Sequence, residues 1–184
     1  MLLYNRSIEI DVPESYRDIS AQMVAQDYQY VLAREGDSEN FMFIDLMRPH
    51  PDVDLHIEDI IQMNEIDMPT ILEMSYTSQG FKKGIYMFLM KYKSQIKPKL
   101  EKREEGGLEW MFSQMEGEMT RNDGDTRRMF IVVGVAKYLA CDVVISIFKE
   151  DMFTEREIDH ARKMVREVKV LNNDLFIEEQ DSGL

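Results

Sequence analysis

Apolar and polar residues alternate along Ser7-Ile8-Glu9-Ile10-Asp11-Val12, which places Ile8, Ile10 and Val12 on one face of a strand. Pro13 ends that strand, because proline cannot donate to a β-ladder. Residues 14–20 read as a turn carrying Tyr16 and Ile19, and residues 22–33, rich in Tyr, Val and Leu, as a second strand. Gly36-Asp37-Ser38 is a turn signal. Residues 41–47 form a third strand and a hairpin with the second.

Residues 48–76 are ambiguous. The alternation over 52–57 suits a strand, whereas Leu55, Glu58, Ile61 and Glu65 also suit a helix, and Pro69 should break either. Phe81, Ile85, Phe88, Leu89 and Tyr92 recur at helical spacing and predict a helix over 78–96, stopped by Pro98. Gly106-Gly107 marks a loop, and 108–119 reads as a strand holding Trp110, Phe112 and Met115. The Asp123-Gly124 pair is a hairpin cue. It leads to the two most apolar, β-branched segments, 129–135 and 142–148, which should be the central strands. Gly134 marks a bulge or a close approach between them.

The clearest local signal is Thr154-Glu155-Arg156-Glu157. It is a capping box in which the Thr hydroxyl accepts from the third helical N–H and Glu157 reaches back. Acidic groups there also complement the positive end of the helix dipole. Ile158, Ala161, Met164, Val165, Val168 and Leu171 form one apolar stripe, with Asn172-Asn173 as the stop. One α+β domain over 1–176 follows, an antiparallel sheet flanked by helices with the C-terminal helix packed on it. Residues 177–184 form an acidic, solvated tail.

Charge narrows the function classes. Lys+Arg 22 against Asp+Glu 35 gives −13, a field that repels nucleic acid. The densest basic stretch, from Lys91 to Arg103, is interrupted or followed by Glu101, Glu104 and Glu105. An acidic surface suits a basic protein partner. Cys141, the lone cysteine, lies beside Val143-Val144-Ile145 and reads as a buried small hydrophobe. It fits a reducing compartment. The start of the chain has no basic-then-apolar leader pattern, and no apolar run reaches membrane-spanning length. The expectation is a cytoplasmic protein, without membrane or nucleic-acid partners. Fifteen methionines imply a plastic core and, where exposed, an adaptable binding surface.

Metal-ligand residue types cluster at His50, Asp52, Asp54, His56 and Glu58. Same-face neighbours on a strand stand about 6–7 Å apart, too far to converge on one ion without a bend. A hydrated polar face is the plainer reading. His160, between Asp159 and Ala161, reads as a surface histidine. No Gly-rich phosphate loop or Gly-x-Ser-x-Gly elbow is present. The residues therefore point to no catalytic centre, no cofactor and no metal site beyond those weak candidates.

Residues 1–20, a short strand meeting proline, an aromatic and a turn, resemble the opening of the PsbP/Mog-type fold. Residues 142–171 resemble its closing strand-and-helix unit. Within that fold the nearest subgroup by appearance is the DcrB-like family, including the Eag-type adaptor chaperones of type VI secretion. Tyr16 stands where that opening carries Trp, and 48–76 looks like an insertion. The resemblance implies a protein-binding scaffold, such as a chaperone or adaptor shielding apolar helices of a secreted effector. A toxin-immunity protein with an acidic face and a metal- or small-ligand-binding domain are the alternatives. A second copy of the chain is among the partners this class admits.

Overall fold

The computed structural model describes residues 1–23, 28–103, 108–120, 124–139 and 141–172. In chain order the strands and helices are β1 (Leu2–Leu3), β2 (Ile8–Glu9), β3 (Tyr16–Asp18), β4 (Gln29–Arg34), β5 (Asp37–Met47) and α1 (Asp54–Met63). They continue with β6 (Asp67–Tyr76), α2 (Lys82–Lys91), β7 (Lys99–Leu100), β8 (Glu109–Thr120), β9 (Thr126–Lys137), β10 (Asp142–Lys149), α3 (Glu155–Arg166) and β11 (Lys169–Val170). Eight strands form one sheet in the order β3-β4-β5-β10-β9-β8-β6-β7, and β1-β2-β11 form a small second sheet. Every pair in the main sheet is antiparallel except β6 with β7.

The period-two pattern of the central strands sorts side chains to two cores. Ile145 and Ile147 of β10, with Met42 and Ile44 of β5, meet Ile158, Ala161, Met164 and Val165 of α3. Val144 and Phe148, with Ile131, Val133 and Val135 of β9, face Ile57 and Ile61 of α1 and Ile85, Phe88 and Leu89 of α2. The central strands β9 and β10 are therefore covered on both faces, as their composition implied.

Thr154 forms the capping box with Glu157. Gly134 sits in unbroken register with Phe112 and Ile145, so it makes no bulge. It marks a close approach, though by the helix and not by a strand: a Cβ there would overlap the Val165 Cγ2 methyl of α3.

Several expectations are corrected. Of the two readings left open for 48–76, the helical one holds at residues 54–63, whereas Pro69, expected to break either element, lies within β6, at a register shift between Asp67 and Thr70 that spares the ladder its missing N–H. The segment expected as an insertion thus supplies α1 and β6, both integral to the fold. Tyr16, expected in a turn, is in edge strand β3, where its hydroxyl donates to Asn40 at 2.5 Å. The strand expected over 22–33 starts at Gln29, after a 3₁₀ turn at Ser20–Gln22. The second helix spans only Lys82–Lys91 and ends before Pro98. The α3 stripe stops at Arg166, so Val168 is buried beyond the helix and Leu171 is exposed. The Gly106-Gly107 loop, Asn122-Asp123, Asn173 and the acidic tail fall outside the described residues.

Candidate functional site

On the α1/α2 face the helices lie over β6, β8, β9 and β10 and leave the β4–β5 side open. An open trough of about 370 Å³ results, bounded by α1 and floored by β4, β5 and β10. Its apolar wall is Phe43, Met47, Val144 and Phe148, with Ile60 and Met63 of α1. The ring of Phe43 stands edge-on to Phe148, with centroids 5.6 Å apart. Tyr28 and Met63 form the rim, and Met63 is 79% exposed.

Polar groups converge on this trough from three elements. Strict alternation in β5 sends Met42, Ile44 and Leu46 to the α3 core and leaves Phe43, Asp45 and Met47 facing the trough. Asp45 accepts a hydrogen bond from Gln29 Nε2 of the paired strand at 2.7 Å. Among the described residues it forms no salt bridge. Burial pushes its carboxyl up to about 6, against the Gln29 bond and the His56 charge that pull it down.

His56 holds the end of the trough. Its Nε2 is 2.8 Å from Asp142 Oδ2, and both side chains are buried. That same oxygen accepts from the His50 backbone N–H at 2.9 Å and from Lys137 Nζ at 3.1 Å. Burial alone would raise the Asp142 carboxyl, but the bonds from His56, His50 and Lys137 hold it below the usual range. Lys137 also donates to the His50 carbonyl. The network ties the start of α1 to the β9–β10 turn and fixes how α1 overhangs the sheet.

The metal-type residues flagged by sequence therefore separate. His50 and His56 both reach Asp142, one through its backbone and one through its ring. Asp52, Asp54 and Glu58 line a different groove, between α1 and α2. Among the described residues no three His, Cys, Asp or Glu groups converge as metal ligands. Cys141 is buried, and that burial raises its thiol to about 11, away from nucleophilic use near neutrality. His160 Nε2 sits 3.0 Å from the Asp11 carbonyl on the far face.

Asp45 and Asp142 were missed by sequence reasoning. The signal was visible as one carboxylate inside the apolar run Phe43-Ile44-Asp45-Leu46-Met47 and another opening the run Val143-Val144-Ile145. A charge set in an apolar strand and drawn at least partly out of water is costly unless it is paired. Asp142 is paired.

No family model matches the chain, and no curated protein matches it. Among solved structures it is similar to the Ran-binding protein Mog1p of Saccharomyces cerevisiae, at 17% identity and a TM-score of 0.65, over 96% of each chain. A point mutant of Mog1 matches equally, at 17% identity and a TM-score of 0.65, over 96% of this chain and 97% of that one. The chain has the Mog1/PsbP-like fold. Among the described residues no helix is long and apolar enough to cross a membrane.

Proposed function

We propose that the chain is a non-enzymatic protein-binding module that docks its partner in the trough beside α1. The observation that carries this reading is Asp45, a half-buried carboxylate on an apolar floor with no salt-bridge partner among the described residues. A buried charge is held at a cost unless something pairs with it. A docking segment that brings apolar side chains to Phe43, Met47 and Met63, and a donor or cation to Asp45, would supply the pairing. Flexible methionine at the rim suits a surface that re-packs around its ligand. The structural neighbour described as Ran-binding adds that this fold can carry a protein-binding surface; the partner class here rests on the trough.

The specific form we favour is an adaptor or chaperone that covers an apolar segment of its partner. An immunity protein would need an acidic face with little apolar content, and the trough wall is mainly apolar. The test is a photo-crosslinking residue in place of Met63, with one in place of Leu171, exposed on the opposite face, as control. A single stoichiometric protein adduct at position 63 and none at 171 is expected. Equal labelling from both positions, or none from position 63, would end the reading.

A further inference from the structure

On its other side α1 lines a second concavity, a groove of about 430 Å³ shared with α2. Asp54 and Glu58 face it from α1, Asp52 from just before that helix, and Lys83 and Lys91 from α2, so three carboxylates meet two ammonium groups. Lys91 is already bonded to Glu58 Oε2 at 2.6 Å. Asp54 is only 7% exposed, and its Oδ1 accepts no hydrogen bond. That oxygen is turned toward α2 at Gly84, another residue of the groove, where a Cβ would overlap it. A buried carboxylate oxygen without a donor is costly, and native structures rarely keep one. Leu55 and Met87, both exposed, stand at the mouth, with buried Phe88 lining the groove.

We propose that the α1–α2 groove receives a positively charged side chain, arginine above all, from the same partner that docks in the trough. Because Asp54 Oδ1 is closed off against Gly84, the Asp54 carboxylate turns into the groove on binding; the guanidinium then gives donors to Asp54 and Asp52 while its stem lies between Leu55 and Met87. Arginine fits better than a compact ammonium because its weakly hydrated plane tolerates the apolar walls. A divalent ion fits less well, since no three ligand groups converge there among the described residues. The inference rests on reading α1 as the docking element, and it makes the docking face bipartite: an apolar trough on one side of the helix, a cation groove on the other.

The probe is the capped tetrapeptide acetyl-Leu-Arg-Leu-Arg-amide, with its citrulline counterpart, titrated into the full chain while backbone amide resonances are followed. Resonances of 52–58 and 83–91 are expected to move. Citrulline, neutral but nearly isosteric, should bind about tenfold more weakly, and Asp54→Asn should weaken the arginine peptide by about tenfold. Asp52→Asn, at an exposed position that the fold tolerates, should weaken it by about threefold; it decides the matter if Asp54→Asn fails a thermal-unfolding check. Equal binding of citrulline, or shifts scattered over distant acids such as Glu9 and Asp11, would overturn the groove. Shifts confined to 28–29, 43–47 and 59–64 would sink the groove while leaving the trough standing. Shifts in neither region would count against both. Calcium chloride alone is the last arm: tighter binding of calcium than of the peptide at 52–58 would make this an ion site and refute the inference.

Discussion

Replacing Asp45 with Asn should make the protein more stable near neutral pH. The Asp45 carboxyl is raised from 3.8 to about 6, chiefly by burial. In the folded chain the proton is therefore held more tightly than in the unfolded one. Below about pH 4 both states are protonated and the group costs nothing. Between about pH 4 and pH 6 the unfolded chain ionises first, so stability falls as pH rises, and above about 6 the loss is complete. A shift of roughly 2 units corresponds to about 3 kcal/mol at 1.36 kcal/mol per unit. Asp45 is half-buried, and solvent screening reduces this to about 1–2 kcal/mol. Asparagine keeps the shape and an oxygen to accept from Gln29, so packing is unchanged. The assay is urea unfolding followed by fluorescence of Trp110, the single tryptophan, which is buried. Asp45→Asn should gain about 1–2 kcal/mol near pH 7.5 and close to nothing near pH 4. A variant that is destabilised, or whose gain does not change with pH, would refute the assignment of Asp45 as an uncompensated charge.

Other outcomes follow from the packing. Asp142→Asn leaves His56, Lys137 and the His50 N–H around a neutral group in a buried network, and should cost about 3 kcal/mol by the same urea assay. Gly134→Ala forces a methyl onto Val165 and should cost about 1–3 kcal/mol; adding Val165→Ala should recover part of that loss, a coupling read from the double-mutant cycle. Thr154→Ala removes the α3 cap, worth about 1 kcal/mol. Burial would raise Glu157, but the Thr154 and Lys149 bonds outweigh it and leave its carboxyl lowered. The advantage of the intact cap should therefore hold above its ordinary pKa and shrink as pH falls toward the folded value.

The capping box and the two apolar central strands were legible because each is specified locally. The cap lies within four residues, and β9 and β10 carry enough β-branched residues to exclude other readings. Residues 48–76 were not, because α1 is amphipathic in a window short enough to fit both periods, and Pro69 is accommodated only by the register shift against β8. The site was less legible still. His56 meets Asp142 across 86 positions of chain, and nothing near either residue announces the other. The cluster at 50–58 was visible as composition, but helical geometry sends His56 to one side of α1 and Asp54 and Glu58 to the other. Asp45 was readable only as a charge out of place in an apolar strand, a signal that gains meaning once α1 is seen to overhang that strand and form the trough.

The most direct test of the docking trough combines stability and binding in one variant. The protein captured by the crosslinker at position 63 is titrated against wild-type chain and Asp45→Asn near pH 7.5. A functional carboxylate predicts that the variant, although more stable, binds at least about tenfold more weakly. Unchanged affinity in a stabilised variant would show that Asp45 serves no partner and would contradict the trough as the docking site.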